Sequence, residues 1–111
     1  MLLNIVVHIS TYMTVTKEDI EDALMDVYDP ELYVDIISLG LVYNIDIDGD
    51  DVTITMTLTF PGCPYGDQLT GDAKDSILEL DTVRNASINL TFEPRWNPDM
   101  IDDDIRAAIG F

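Results

Sequence analysis

DVTITMTLTFPGCPYGDQLTGDAKDSILEL, residues 51–80, changes its period partway along. In its first half Val52, Ile54, Met56, Leu58 and Phe60 alternate with Thr53, Thr55, Thr57 and Thr59. A period of two puts the apolar set on one face of a strand. In its second half Leu69, Ala73, Ile77 and Leu80 step by three or four, the spacing of a helix with one buried stripe. Gly66 and Gly71 weaken the early turns of that helix. The switch falls on Pro61-Gly62-Cys63-Pro64, and Cys63 is the only cysteine of the chain. If Pro64 is the first helical residue, Cys63 is the N-cap, where open N–H groups and the helix dipole favour a reactive thiolate. A small apolar filler in the core is the competing reading.

Working outward, Thr16 is a good N-cap, with Glu18 and Asp19 favourable in the first helical turn. Ile20, Ala23, Leu24 and Val27 form the apolar stripe, and Pro30 predicts a stop near Tyr28. In LVYNIDID, residues 41–48, Leu41, Tyr43, Ile45 and Ile47 alternate as in a half-buried strand. Asp48-Gly49-Asp50 then reverses the chain into residue 51. DIDGDD superficially resembles a calcium loop, but it lacks the spacing and the distal Glu of an EF-hand and reads as a hairpin turn. Ala86, Ile88, Leu90 and Phe92 predict a third strand. Asn97 with Pro98, and then Asp102 to Asp104, open short helical pieces that stop at Gly110. The order is helix, strand, strand, helix, strand, then short C-terminal helices. It predicts an α+β fold with helices on one face of a small, mostly antiparallel sheet.

The 111 residues make one domain. Twenty-two acidic residues against five basic ones give a net charge of −17. That surface repels phosphate backbones and anionic membranes, so neither nucleic acid nor membrane is an expected partner. It also repels itself, and concentrated salt relieves this by shortening the Debye length from about 10 Å at 0.1 M to about 3 Å at 1 M. The charge reads as that of a cytoplasmic protein in a salt-rich, halophilic interior. One cysteine excludes a disulfide scaffold and fits a reducing compartment. Residues 1–12 read as a leader or N-terminal extension, with Met13 as an alternative start and residues 13–111 as the domain.

The residues available for chemistry are few. A structural zinc or a cluster usually takes four ligands. One cysteine with one histidine, His8 in the doubtful leader, does not make a permanent site within one monomer. Transient ligation of iron or an iron–sulphur cluster at Cys63, or ligation shared across a homodimer, stays open. One histidine in the leader leaves triad chemistry all but excluded, and no phosphate-cradling glycine loop is present, so nothing points to a classical enzyme. Asp29 and Glu31 flank Pro30, where the plain reading is helix-stop chemistry with solvated charge. Trp96 reads as packing over the sheet edge, with partner contact as the lesser alternative.

Four segments carry a resemblance: DPE at 29–31, DIISLGLVY at 35–43, TMTLTFPGCP at 55–64 and RWNPDM at 95–100. Together they resemble the metal–sulphur cluster biosynthesis family, which includes SufT-like and PaaD-like proteins of iron–sulphur cluster assembly. The likeness runs from about Thr16 to Phe111. It implies a two-layer α/β sandwich of the iron–sulphur cluster assembly type. It further implies a functional surface around Cys63, lined by Asp29, Glu31 and Thr59. Family members often read Thr-Thr-Pro-Gly-Cys-Pro where this chain has Phe60 at the second position, so no role is carried to residue 60. The implied function is an accessory factor that assembles clusters or delivers them to client proteins, with Cys63 as transient ligand or contact. The implied partners are client iron–sulphur proteins and the assembly machinery. The alternative is a metal-free adaptor that joins clients to that machinery.

If self-repulsion limits the fold, the melting temperature rises by about 5 °C or more between dilute and molar potassium chloride, roughly 1 kcal/mol for a domain this size. A flat profile in differential scanning calorimetry would remove the salt-adapted reading.

Overall fold

The computed structural model describes residues 15–110. The leader reading of residues 1–12, with His8 and the alternative start at Met13, lies outside the described residues.

Helix α1 spans Lys17–Leu24. Thr16 Oγ1 accepts from the Asp19 N–H at 3.2 Å, and Asp19 Oδ2 accepts from the Thr16 N–H at 3.0 Å. This reciprocal capping box satisfies two donors that a helix start leaves open. The helix ends earlier than the predicted stop at Tyr28. The N–H groups of Asp26 and Val27 turn to the carbonyls of Ala23 and Leu24, three residues back, and the tightened turn does not continue. Tyr28 instead forms a single antiparallel bridge with Asp35.

Strands β1 (Val42–Asp48) and β2 (Asp51–Met56) pair antiparallel across a two-residue turn. Gly49 opens that turn at φ +65°, a left-handed conformation that glycine adopts without steric cost. DIDGDD is therefore a hairpin. The register jumps between Val42↔Met56 and Asn44↔Thr55, which leaves Tyr43 as the extra residue of a bulge. The strict alternation expected of Leu41 and Tyr43 breaks there, and Val42 takes the place opposite Met56.

Helix α2 spans Gly66–Leu78 and strand β3 spans Asn85–Leu90. The sheet order is β1-β2-β3, with β2 central. β3 runs parallel to β2, from Asp51↔Asn85 to Met56↔Leu90. The sheet is thus mixed, which corrects the expectation of a mostly antiparallel one. The physical reason is the crossover: α2 carries the chain back along the sheet before β3 begins, so β3 repeats the direction of β2. A single 3₁₀ turn at Pro98–Met100 and helix α3 at Asp103–Ile109 complete the fold, capped by Asn97 and Asp102.

The core lies between the central strand and the helices. Val52, Ile54 and Met56 of β2 are 1% exposed or less, as are Ile20 and Leu24 of α1 and Leu69, Ala73 and Ile77 of α2. Burying each large aliphatic of this set is worth about 1.5–3 kcal/mol. Leu90 falls outside this core, half exposed at the end of the edge strand. No described helix is long and apolar enough to cross a membrane.

Gly40 ties the two halves of the chain together. Its φ is +74°, and a Cβ there would run into the backbone carbonyl of Met100. Gly49 has a similar φ of +65° but nothing within 4 Å of an added Cβ. Gly40→Ala is therefore expected to cost about 2–3 kcal/mol, since strain adds to overlap with backbone. Gly49→Ala is expected to cost about 1 kcal/mol, from conformation alone. Urea denaturation of the two variants against the parent protein measures the difference.

Candidate functional site

β2 and β3 leave the sheet at the same edge, and antiparallel β1 enters there. Three connections meet as a result: the loop before β1, the turn after β2 and the irregular segment after β3. Between them lies a cleft of about 160 Å³, lined by Asp29, Glu31, Leu32, Thr59, Phe60 and Trp96.

The first wall is built by Asp29. Its Oδ1 accepts from the N–H groups of Glu31 at 2.8 Å and Leu32 at 3.0 Å, closing a turn over Pro30. The Asp29 backbone accepts from the Tyr33 N–H at 2.8 Å and donates to the Val34 carbonyl at 2.9 Å. Asp29 is 3% exposed, so it is not the solvated charge of the plain reading. Its Oδ2 has no hydrogen-bond partner among the described residues. No buried side-chain oxygen or nitrogen lacks a partner there either, so this oxygen still touches solvent. The same loop holds Tyr33 at φ +57° and leaves it 81% exposed, an uncommon conformation for a bulky residue. Glu31 is exposed at the rim.

Trp96 lines the cleft as well. Its indole Nε1–H donates to the Leu39 carbonyl at 2.7 Å, so its polar end is satisfied inside the protein while the residue lines the cleft. Tyr43, placed by the β1 bulge, donates its hydroxyl to the Pro94 carbonyl at 2.7 Å. Met100 Sδ lies 3.6 Å from the same hydroxyl. The two bonds brace the segment after β3 against the start of β1. Partial burial pushes the Tyr43 phenol above its ordinary range, because desolvation disfavours the phenolate.

Cys63 is not where the sequence places it. Helix α2 begins at Gly66 with Tyr65 as its cap, so Cys63 is not the N-cap. It lies in a tight turn in which its N–H donates to the Phe60 carbonyl at 3.3 Å and its carbonyl accepts from the Gly66 N–H at 3.1 Å. Gly62 enables the turn with φ +82°. Gly66 packs closely on Leu58, since a Cβ there would stand 2.8 Å from Leu58 Cδ1. The thiol is half-buried, packs against the core and does not line the cleft. Its turn is nevertheless closed on Phe60, a residue of the cleft wall. The Thr59 hydroxyl makes no hydrogen bond to Cys63. Among the described residues no three His, Cys, Asp or Glu side chains gather to hold a metal ion.

Residues 17–90 match the family of iron–sulphur cluster assembly proteins. The chain belongs to that family. An Fe-S protein maturation auxiliary factor from Porphyromonas gingivalis is 44% identical over 97 residues, 86% of this chain and 92% of that protein. The auxiliary factor YitW from Bacillus subtilis is 41% identical over 95 residues, 85% of this chain and 93% of its own. A domain of unknown function from Bacillus anthracis has the same fold with a TM-score of 0.81. It is 33% identical, and the match covers 86% of this chain and 92% of that one.

The structure brings Asp29, Glu31 and Thr59 into one cleft and sets Cys63 beside it. Sequence reasoning missed Phe60 and Leu32 as wall residues and assigned Trp96 to the sheet edge. The available signal for Trp96 was an aromatic in an otherwise irregular tail, which has to bury its ring somewhere on the domain.

Tyr43→Phe removes one brace of this edge and is expected to cost about 1 kcal/mol at neutral pH. A phenol with a raised folded-state pKa stabilises fully below its unfolded value near 10 and loses that contribution as pH rises through the folded value. The stability gap between wild type and Tyr43→Phe should therefore hold up to about pH 10 and close above it. Chemical denaturation at a series of alkaline pH values checks this.

Proposed function

We propose that this protein is an accessory factor in iron–sulphur protein maturation, with Cys63 as a transient ligand or contact for the cluster being delivered. The observation that carries the reading is a half-buried free thiol in a tight turn, closed on the wall of a cleft, in a chain of the iron–sulphur cluster assembly family. The relatives named as maturation auxiliary factors span nearly the whole chain, which favours the same role here. A cluster is cargo in this reading. One thiolate is a weak hold compared with the four cysteines of a resident cluster, and weak holding suits transfer. Asp29, Glu31 and Thr59 form the polar side of the adjoining cleft, where a client or the assembly machinery would meet the cargo.

A second reading, a metal-free adaptor, draws on the exposed aromatic residues. Tyr28, Tyr33 and Phe60 are 55%, 81% and 45% exposed. Aromatic residues are enriched in protein–protein interfaces. In that reading the thiol is dispensable and the rim is not.

Cys63→Ser separates the two. Expected is a client iron–sulphur enzyme activity reduced about tenfold under iron limitation in a strain carrying the variant, with the melting temperature unchanged within about 2 °C. Normal client activity together with continued client capture by Cys63→Ser would favour the adaptor and end the thiol reading.

A further inference from the structure

The cleft beside Cys63 has a chemistry that the cluster alone does not explain. Its volume of about 160 Å³ is below the roughly 300–1,000 Å³ typical of small-molecule sites and suits one extended side chain. Leu32, Phe60 and Trp96 supply apolar and aromatic wall, while Asp29 and Glu31 supply carboxylates. Such a combination fits a side chain with a methylene stem and a cationic head. The stem packs along apolar surface, and the head is drawn both to aromatic faces and to anionic oxygens.

Asp29 sharpens the case. It is 3% exposed, yet one of its two oxygens has no hydrogen-bond partner among the described residues. That oxygen still touches solvent, so it is open to a donor that arrives from outside the protein. Among the described residues no cation supplies one. The ion pairs among the described residues are Arg84 with Asp50 and Arg106 with Asp99 and Asp103, and none reaches Asp29 or Glu31. The net charge of −17 draws basic segments toward the surface in general, and the walled cleft offers one of them a fixed seat.

We propose that this cleft docks a single lysine or arginine side chain presented by the client protein next to its cluster-receiving site. The proposal rests on the maturation-factor reading and names the recognition element that the client would carry.

The test is a titration of the ¹⁵N-labelled full-length protein with the blocked tripeptide amide acetyl-Ala-Arg-Ala-NH₂, compared with the neutral isostere in which citrulline replaces arginine. Expected are saturable shifts confined to the Trp96 indole N–H and the amides of Glu31, Leu32 and Thr59. The arginine peptide should bind about tenfold more tightly than the citrulline peptide, as a charge-assisted bond in a partly dry site implies. Glu31→Gln should remove most of that advantage. Glu18→Gln, an exposed carboxylate of equal charge on α1, should leave it unchanged. Equal binding of the two peptides would overturn the proposal in favour of an apolar seat. Equal weakening by Glu18→Gln and Glu31→Gln, or shifts spread over the whole surface, would overturn it in favour of diffuse charge attraction. The titration reads the cleft, whereas the Cys63→Ser maturation assay reads the function, so either can fail while the other stands.

Discussion

The crossover from β2 through α2 to β3 is the constraint on which the rest of the molecule depends. Val52, Ile54 and Met56 form the buried face of the central strand, and Leu69, Ala73 and Ile77 of α2 are buried with them in one core. That packing holds the helix along the sheet and makes the parallel pairing of β2 with β3 the compact solution. Parallel strands end at the same edge. Because β1 joins β2 through a tight hairpin, its start comes to that edge as well. The candidate functional residues lie on the connections gathered there, outside the strands themselves.

Those connections carry few regular hydrogen bonds, so specific contacts must hold them. Gly40 lets the chain before β1 pass against the Met100 carbonyl. Trp96 bonds to Leu39, Tyr43 bonds to Pro94, and Asp29 Oδ1 gathers two amides of its own loop. Most polar groups of the edge are used in positioning. Left available among the described residues at the cleft are the Glu31 carboxylate, one oxygen of Asp29 and the Thr59 hydroxyl, with the Cys63 thiol beside them. This division between bracing groups and available groups is what a rigid scaffold with functional loops looks like at the level of single atoms. The acidic surface around it adds a long-range field that steers cationic partners and is screened by salt.

Much of this was legible in the residues. The switch from period two to period three or four across residues 51–80 located β2 and α2 and named most of their buried residues. Caps at Thr16, Asn97 and Asp102 were readable because a side chain capping its own helix is a local event. The hairpin at Gly49 was readable for the same reason. The direction of β3 was not, because strand direction depends on where a helix packs, and periodicity carries no record of that. The bulge at Tyr43 was hidden too. The alternation of Leu41, Tyr43 and Ile45 looks regular, and only pairing with β2 reveals an extra residue. α2 starts at Gly66 rather than Pro64, and the close packing of Gly66 on Leu58, eight residues earlier, is not visible in local spacing.

The four motif segments were enough to bring Asp29, Glu31, Thr59 and Cys63 forward as a set, since a family likeness stores outcomes of tertiary structure in linear form. By itself the sequence determined the element order, most of the core residues, the charge and the presence of one cysteine and one histidine, all of which follow from local spacing and composition. Tertiary structure alone decided that Asp29 is buried and Glu31 exposed across the same turn. It also decided that Phe60 and Trp96 wall the cleft, and that Cys63 sits beside the cleft in a turn of its own. Each of these depends on which of three sequence-distant connections approaches another, and that is settled by how the strands end at a common edge.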